Sequence, residues 1–286
     1  MTPRVSLVIV NYNAGTRLQA CLQSAAAALD GIDWEAIVVD NASSDGSAAF
    51  ARDAGPRVRL LAQGANVGFG AGINAGVAEA RAQLLLILNP DTVLRTGAFE
   101  ILEDALARTE SAAIAGPRIL DADGTLQGSA RRDPTLWSGV LGRTTVVTRR
   151  WPWLARRIGD VVHTAAGQMP QVIDVDWVSG AAFLARRDAF EAVGGFDAAF
   201  FLYWEDADLC RRLRARGWRI IYATGAVVDH VVGVSSRTAP TLAVRAFHDS
   251  AYRYYARWCA PSPYSVRRPV ARGLLGARAW WKLRGY

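Results

Sequence analysis

The chain has 286 residues, 51% of them apolar, which is enough to bury a substantial core in one large domain or two small ones. It has no run of about 18 uncharged apolar residues, and its first apolar run, Val5–Val10, is only strand-length, so neither a transmembrane helix nor a secretory signal is expected. The net charge of +7 is uneven: eight basic residues and no acid follow Asp249, while the other 25 bases nearly balance all 26 acids, which argues against a nucleic-acid-binding body.

Val5–Val10 reads as a buried parallel strand ending in the polar Asn11-Tyr12-Asn13. Thr16–Leu29 reads as a helix with Leu18, Leu22, Ala25, Ala26 and Leu29 on one face. A second strand, Ala36–Val39, runs into Asp40-Asn41-Ala42-Ser43-Ser44-Asp45-Gly46-Ser47, a loop rich in helix-capping residues, and Ala48–Ala54 continues as helix. Val58–Ala62 and Leu84–Leu88 are the third and fourth strands, the latter ending in Asn89-Pro90-Asp91. Between them the glycine-rich segment 66–76 either brings backbone close to a ligand at a helix start or is a structural turn.

A helix over Ala98–Leu106 and a short strand over Ala113–Ala115 follow. Arg131–Gln171, with Trp137, Trp151 and Trp153, is irregular, either an insert beside a binding cleft or a long surface excursion. Val172–Trp177 and Ala181–Ala185 are expected as strands around Ser179-Gly180, and Arg187–Val193 as a short helix. Aromatic residues from Phe200 then lead into Glu205, Asp206 and Asp208, at the start of a helix that closes at Gly217. Arg219–Ala223 and Val227–Val232 read as two strands, with His230 in the second, and Ala243–Trp258 as a helix. Cys21, Cys210 and Cys259 lie far apart without zinc-type spacing and are expected to be reduced thiols of a cytoplasmic protein.

Strand, polar loop and helix repeat, so the fold class is α/β, a sheet with helices on both faces. Ligands of such sheets bind beyond the carboxyl ends of the strands, where Asn11–Asn13, Asp40-Asn41 and Asn89–Asp91 fall. The acids at 205, 206 and 208 have two readings. A carboxylate beside aromatic rings is partly desolvated and suits general-base work. Alternatively the three complement the helix dipole and pair with Arg211 and Arg212. Tyr203, Trp204 and Trp177 either stack on sugar rings or pack as core aromatics.

The ordered set Val8-Ile9-Val10-Asn11-Tyr12-Asn13, Val38-Val39-Asp40-Asn41, Asn66-Val67-Gly68-Phe69-Gly70, Leu88-Asn89-Pro90-Asp91, Ser179-Gly180-Ala181, Gly194-Gly195-Phe196-Asp197 and Trp204-Glu205-Asp206 resembles family 2 glycosyltransferases of the GT-A fold. Within that family it is similar to bacterial rhamnosyltransferases of cell-surface polysaccharide assembly. The resemblance spans roughly residues 4–235. It implies a GT-A domain over 1–240, with a nucleotide-sugar half to 118 and an acceptor half from 119, and a helical basic extension over 241–286.

Carried over by residue, the resemblance puts Asn11, Asn13, Asp40, Asn41, Asn66 and Gly68 around the nucleotide, Asp91 on a metal at the diphosphate, and Asn89 either as a weaker ligand of that metal or on the ribose. Asp91 occupies the last position of the family's Asp-x-Asp metal motif, whose first acid is Asn89 here. His230, 24 residues after Asp206, matches a histidine that completes the metal site in some relatives, or is a plain strand histidine. The implied cofactor is Mg²⁺ or Mn²⁺. The implied reaction is a single inverting displacement on a nucleoside diphosphate sugar, dTDP-L-rhamnose above others, by a hydroxyl of a glycan or lipid-linked glycan. Asp206 is the implied base, with Glu205 beside it.

The rivals are a nucleotidyltransferase, disfavoured because the first loop lacks that class's basic glycine-rich signature, and a nucleic-acid-binding module using the tail. In the tail, Arg267, Arg268, Arg272, Arg278 and Lys282 interleave with Leu274, Leu275, Trp280 and Trp281, which suits the anionic inner face of a membrane; because Arg278 falls beside the Val270–Leu274–Trp281 face, a solvated tail is the alternative.

Overall fold

The computed structural model describes residues 2–133, 162, 171–230 and 240–284. Strands β1 (Val5–Asn11), β2 (Trp34–Asp40), β3 (Val58–Ala62) and β4 (Leu84–Leu88) run parallel in the spatial order β3-β2-β1-β4. Every residue of β1 and β2 is buried, as a strand covered on both faces requires. The pleat sorts their side chains. Val5, Leu7 and Ile9 pack with helices α1 (Thr16–Ala28) and α4 (Ala98–Arg108), whereas Val8 and Val10 pack with α3 (Phe69–Glu79) on the other face. A short helix α2 (Ala48–Arg52) follows the loop after β2. Because β2 and β3 are added on one side of β1 and β4 on the other, a crevice opens at the carboxyl ends of β1 and β4.

The rest of the sheet is mixed. Strand β10 (Ala182–Arg186) runs antiparallel between β4 and β6 (Ala112–Leu120), and β11 (Arg219–His230) lies parallel to β6. Strands β5 (Thr92–Leu94) and β8 (Val172–Val175) pair antiparallel with opposite ends of β11. A separate two-stranded ribbon joins β7 (Ala130–Arg131) to β9 (Trp177–Val178). Helices α5 (Arg187–Ala192), α6 (Glu205–Ala215), α7 (Pro240–Trp258) and α8 (Arg267–Leu283) complete the described chain.

Four local expectations change. The glycines at 70, 72 and 76 lie inside α3 rather than in a ligand turn. A Cβ at Gly72 would come within 2.9 Å of Val10, and one at Gly76 would overlap Val8 and Val39, so these glycines let α3 lie close on β1 and β2. The two strands expected after Gly217 are one strand, β11, whose register shift between Ala223 and Val227 leaves Thr224, Gly225 and Ala226 unpaired with β6. Residues 172–177 divide between β8 and β9, which belong to different sheets. Arg211 does not pair with Asp208; its guanidinium reaches Asp133 and the Tyr254 hydroxyl instead. Most of the irregular stretch Arg131–Gln171, including Trp137, Trp151 and Trp153, lies outside the described residues, as do Val231 and Val232.

The three cysteines are free thiols. Burial pushes Cys21 and Cys210 up to about 12, so neither supplies a thiolate near neutrality. No described helix is long and apolar enough to cross a membrane.

Candidate functional site

Three clusters meet at the carboxyl ends of the parallel strands. In the first, the β1 and β2 ends are knitted together. Asn11, fully buried, donates from Nδ2 to Asp40 Oδ1 at 2.7 Å and to Ser47 Oγ at 2.8 Å. Asn13, held at φ 51°, accepts the Ser44 N–H at 2.8 Å, while its own N–H donates to Ser43 Oγ at 3.0 Å. Asn41 donates to the Gly68 carbonyl at 3.0 Å, and Asn66 Oδ1 accepts the Gly68 N–H at 3.0 Å. Gly68 itself sits at φ +88°, where a Cβ would overlap the Phe201 carbonyl. The structure therefore brings Asn11, Asn13, Asp40, Asn41, Asn66 and Gly68 into one hydrogen-bonded rim. Most of their amide groups are spent within that rim, yet Asn11 Oδ1 and Asn41 Oδ1 are buried with no protein partner.

In the second cluster, β4 delivers Asn89 and Asp91, and the end of β11 delivers His230. His230 Nε2 lies 3.2 Å from Asp91 Oδ1 and 3.5 Å from Asn89 Nδ2. The ring's other nitrogen, Nδ1, is 3.0 Å from Gln127 Oε1. Among the described residues no group of three or more His, Cys, Asp and Glu side chains converges as a closed metal cage. One carboxylate and one imidazole nonetheless fit Mg²⁺ or Mn²⁺, because such ions are commonly held by one or two protein carboxylates together with substrate phosphates and water.

In the third cluster, α6 begins after two consecutive left-handed residues, Tyr203 at φ 67° and Trp204 at φ 69°. Their rings stack edge-on against Phe247 of α7, 5.7 and 5.9 Å between centroids, and Trp204 also meets Tyr254. This bend aims Glu205 and Asp206 back toward the sheet. Asp206 Oδ2 accepts the Gly180 N–H at 2.9 Å and Oδ1 accepts the Ala207 N–H at 2.8 Å. Glu205 Oε2 is buried without a partner. Burial, then the neighbouring Asp206 charge, pushes Glu205 up to about 8. Burial also raises Asp206, but the Gly180 and Ala207 N–H groups and the field of Arg131 oppose the rise. Asp206 is thus the better equipped of the two to carry negative charge, because backbone N–H groups on both of its oxygens favour the charged form.

The Ser179–Ala181 turn links the last two clusters, since the Ala181 carbonyl accepts the Asn89 N–H at 2.8 Å while Gly180 holds Asp206. Asp208 points the other way. It is fully buried and accepts Arg212 Nε at 2.7 Å, Arg257 Nη1 at 2.9 Å and Trp258 Nε1 at 2.8 Å.

Sequence reasoning missed Gln127, Arg131 and the α7 residues Phe247, Tyr254, Arg257 and Trp258. The Asp-Gly turn at 123–124 signals a chain reversal after β6, but its register, and hence the side chain it returns to His230, is a tertiary matter. Nothing local marks Arg131, whose guanidinium lies over the Trp177 ring, 5.0 Å from its centroid.

Comparison with known proteins identifies the sequence signature of Glycosyl transferase family 2 over residues 6–194. The chain is 33% identical, over 95% of its length and 92% of the relative's, to the N-acetylglucosaminyl-diphospho-decaprenol L-rhamnosyltransferase of Mycobacterium tuberculosis. Its fold is that of GalNAc-T7, solved with UDP, GalNAc and Mn²⁺, at TM-score 0.59 and 15% identity over 96% of this chain; it spans 54% of that protein. The mannosyltransferase of Pyrobaculum calidifontis, solved with GDP-Man and Mn²⁺, matches at TM-score 0.58 and 17% identity over 98% of this chain and 70% of its own.

Proposed function

The chain belongs to Glycosyl transferase family 2, and on that premise we propose that it moves L-rhamnose from dTDP-L-rhamnose to a hydroxyl of a lipid-linked acceptor bearing N-acetylglucosamine. The observation that carries this reading is the near-full-length identity to a transferase named for such a transfer.

In this reading the rim of Asn11, Asn13, Asp40, Asn41, Asn66 and Gly68 shapes the nucleotide pocket, and Asn89 and Asp91 face the diphosphate. Asp206 takes the proton of the acceptor hydroxyl as that oxygen bonds to the anomeric carbon. The bond from that carbon to the diphosphate oxygen breaks on the opposite face, its electron pair leaves with the nucleoside diphosphate, and the centre inverts. The Gly180 and Ala207 N–H groups favour the charged form of Asp206 for this role, while burial pushes the neighbouring Glu205 toward its neutral form. Asp91 and His230 would hold Mg²⁺ or Mn²⁺, which supplies neutralisation of charge on the departing diphosphate.

Assays with thymidine, uridine and guanosine diphosphate sugars, on a polyprenyl diphosphate N-acetylglucosamine acceptor, test the reading. Transfer from dTDP-rhamnose is expected to dominate; faster transfer from another nucleotide sugar overturns the donor, and no transfer to this acceptor overturns the acceptor. Excess chelator should abolish transfer and Mg²⁺ or Mn²⁺ restore it, whereas full activity in chelator removes the metal role.

A lipid-linked acceptor gives the tail a use, and α8 supports contact with an anionic membrane surface. Ala271 and Leu275 face inward, while Val266, Val270, Trp280 and Trp281 are exposed. At 3.6 residues per turn these exposed side chains share one face with Gly273 and Ala277, and Arg267 and Arg272 fall on its two edges. Arg278 falls beside that face, next to Arg267 around the helix axis, and its guanidinium lies over the Phe247 ring, 5.8 Å from its centroid.

A further inference from the structure

Behind Asp91 and His230 stands a side chain that no motif marks. We infer that Gln127 is a positioning residue that fixes the tautomer of His230 and thereby turns the ring's Nε2 lone pair toward Asp91; the inference rests on the divalent-cation reading proposed above. Gln127 lies on the return from β6, its backbone pinned by an N–H donated to the Ile119 carbonyl at 2.9 Å. Its amide nitrogen serves two acceptors, Asp121 Oδ1 at 2.8 Å and the His230 main-chain carbonyl at 2.9 Å. An amide oxygen has no proton to give either of them, so the orientation of the amide follows from its partners. Gln127 Oε1 must then be the atom facing His230 Nδ1 at 3.0 Å, and being an acceptor it requires an N–H there.

The proton of a neutral His230 ring is thus held on Nδ1, away from Asp91. The bare Nε2 and the Asp91 Oδ1 atom, 3.2 Å apart, are two electron-pair donors converging on one point, a conflict that a cation relieves. Asn89 Nδ2, a donor, lies 3.5 Å from the same nitrogen and is compatible with a lone pair there. Remove Gln127 and the remaining acceptor for the ring proton among the described residues is Asp91, so the proton passes to Nε2 and closes the lone pair. Metal-binding histidines as a class donate their other N–H to such a partner, and loss of the partner typically costs about 10–100-fold in metal affinity.

Two measurements on the full chain decide this. Nitrogen-15 NMR of histidine-labelled, metal-free protein at a pH of about 9, above the ordinary imidazole range, should show His230 with N–H at Nδ1 and bare Nε2. Gln127→Met should move the proton to Nε2, and Gln127→Glu, which keeps an acceptor, should hold it on Nδ1. Mn²⁺ titration by electron paramagnetic resonance in the presence of dTDP should show at least about tenfold weaker binding in Gln127→Met and a smaller loss in Gln127→Glu. An unchanged tautomer in Gln127→Met, or unchanged Mn²⁺ affinity, overturns the proposal. Failure of the wild-type protein to bind Mn²⁺ instead removes the metal assignment of Asp91 and His230, while the tautomer in the metal-free protein still decides whether Gln127 sets it.

Discussion

Glu205 and Asp206 are adjacent carboxyl groups, unequally equipped. Asp206 has backbone donors on both oxygens, and Glu205 has an oxygen buried without one. Asp206→Asn should lower turnover by at least about 100-fold with donor affinity nearly unchanged, as removal of a general base does; comparable turnover, or a larger loss in Glu205→Gln, rejects the assignment. Stability should separate the pair too. Glu205 goes from an ordinary 4.5 to about 8 on folding, so between those values the folded chain binds more protons than the unfolded one. Stability then falls as pH rises through that window. Glu205→Gln abolishes the titration, so its melting temperature relative to wild type should be more favourable at about pH 8.5 than at about pH 5, and the opposite trend refutes the shift. Asp208 has a different task. Asp208→Asn weakens its bonds to Arg212, Arg257 and Trp258 and should cost about 2 kcal/mol, less than the loss for a wholly buried pair because both arginines reach solvent. Denaturant unfolding measures that cost.

At the scale of elements, α3 and α7 do opposite jobs around α6. Helix α3 must come close to the sheet, and its small residues permit it. Gly76→Ala would thrust a methyl into Val8 and Val39 and should destabilise by about 1–3 kcal/mol. Gly273→Ala in α8 is the contrasting case, since nothing lies within 4 Å of its added Cβ. That substitution should stabilise by up to about 1 kcal/mol through helix propensity alone. Equal effects of the two, measured by thermal and denaturant unfolding, would show that close approach is not what Gly76 provides. Helix α7 supports from outside: Phe200, Ala207 and Tyr254 form one buried cluster with Trp204 and Trp258 against it, and Arg257 also bonds to Asp197. The left-handed pair Tyr203-Trp204 is thereby held in place by a helix well downstream in sequence.

At the scale of the molecule, the excess positive charge divides by use. Arg257 is spent on Asp197 and Asp208, Arg268 donates to the Ala256, Ala260 and Pro261 carbonyls, and Arg278 is half-buried over Phe247. The outer face of α8 is open to an external partner: Trp280 is 57% and Trp281 64% exposed. Replacing both with Ser should weaken binding to vesicles of anionic lipid at least about tenfold, given the apolar area each ring would bury. Transfer to a short water-soluble acceptor should be untouched. Unchanged vesicle binding in a sedimentation assay rejects this face as the membrane contact.

The alternation of buried apolar runs with polar loops was enough to read β1 to β4, their order along the chain and the α/β class, because a strand covered on both faces has to be apolar throughout. The same runs pointed to the candidate site, since polar residues at Asn11, Asp40 and Asp91 follow them at the strand ends. The sequence could not assign partners across long separations. Asp208 was legible as an ion-pairing residue through Arg212, four residues on, because helical spacing dictates that contact. Its bonds to Arg257 and Trp258, like those of His230 to Gln127, depend on the packing of distant elements, which local periodicity does not encode. The glycines of α3 show the same boundary: composition suggested approach to a ligand or a structural turn, and only the folded sheet showed a helix lying close on Val8, Val10 and Val39.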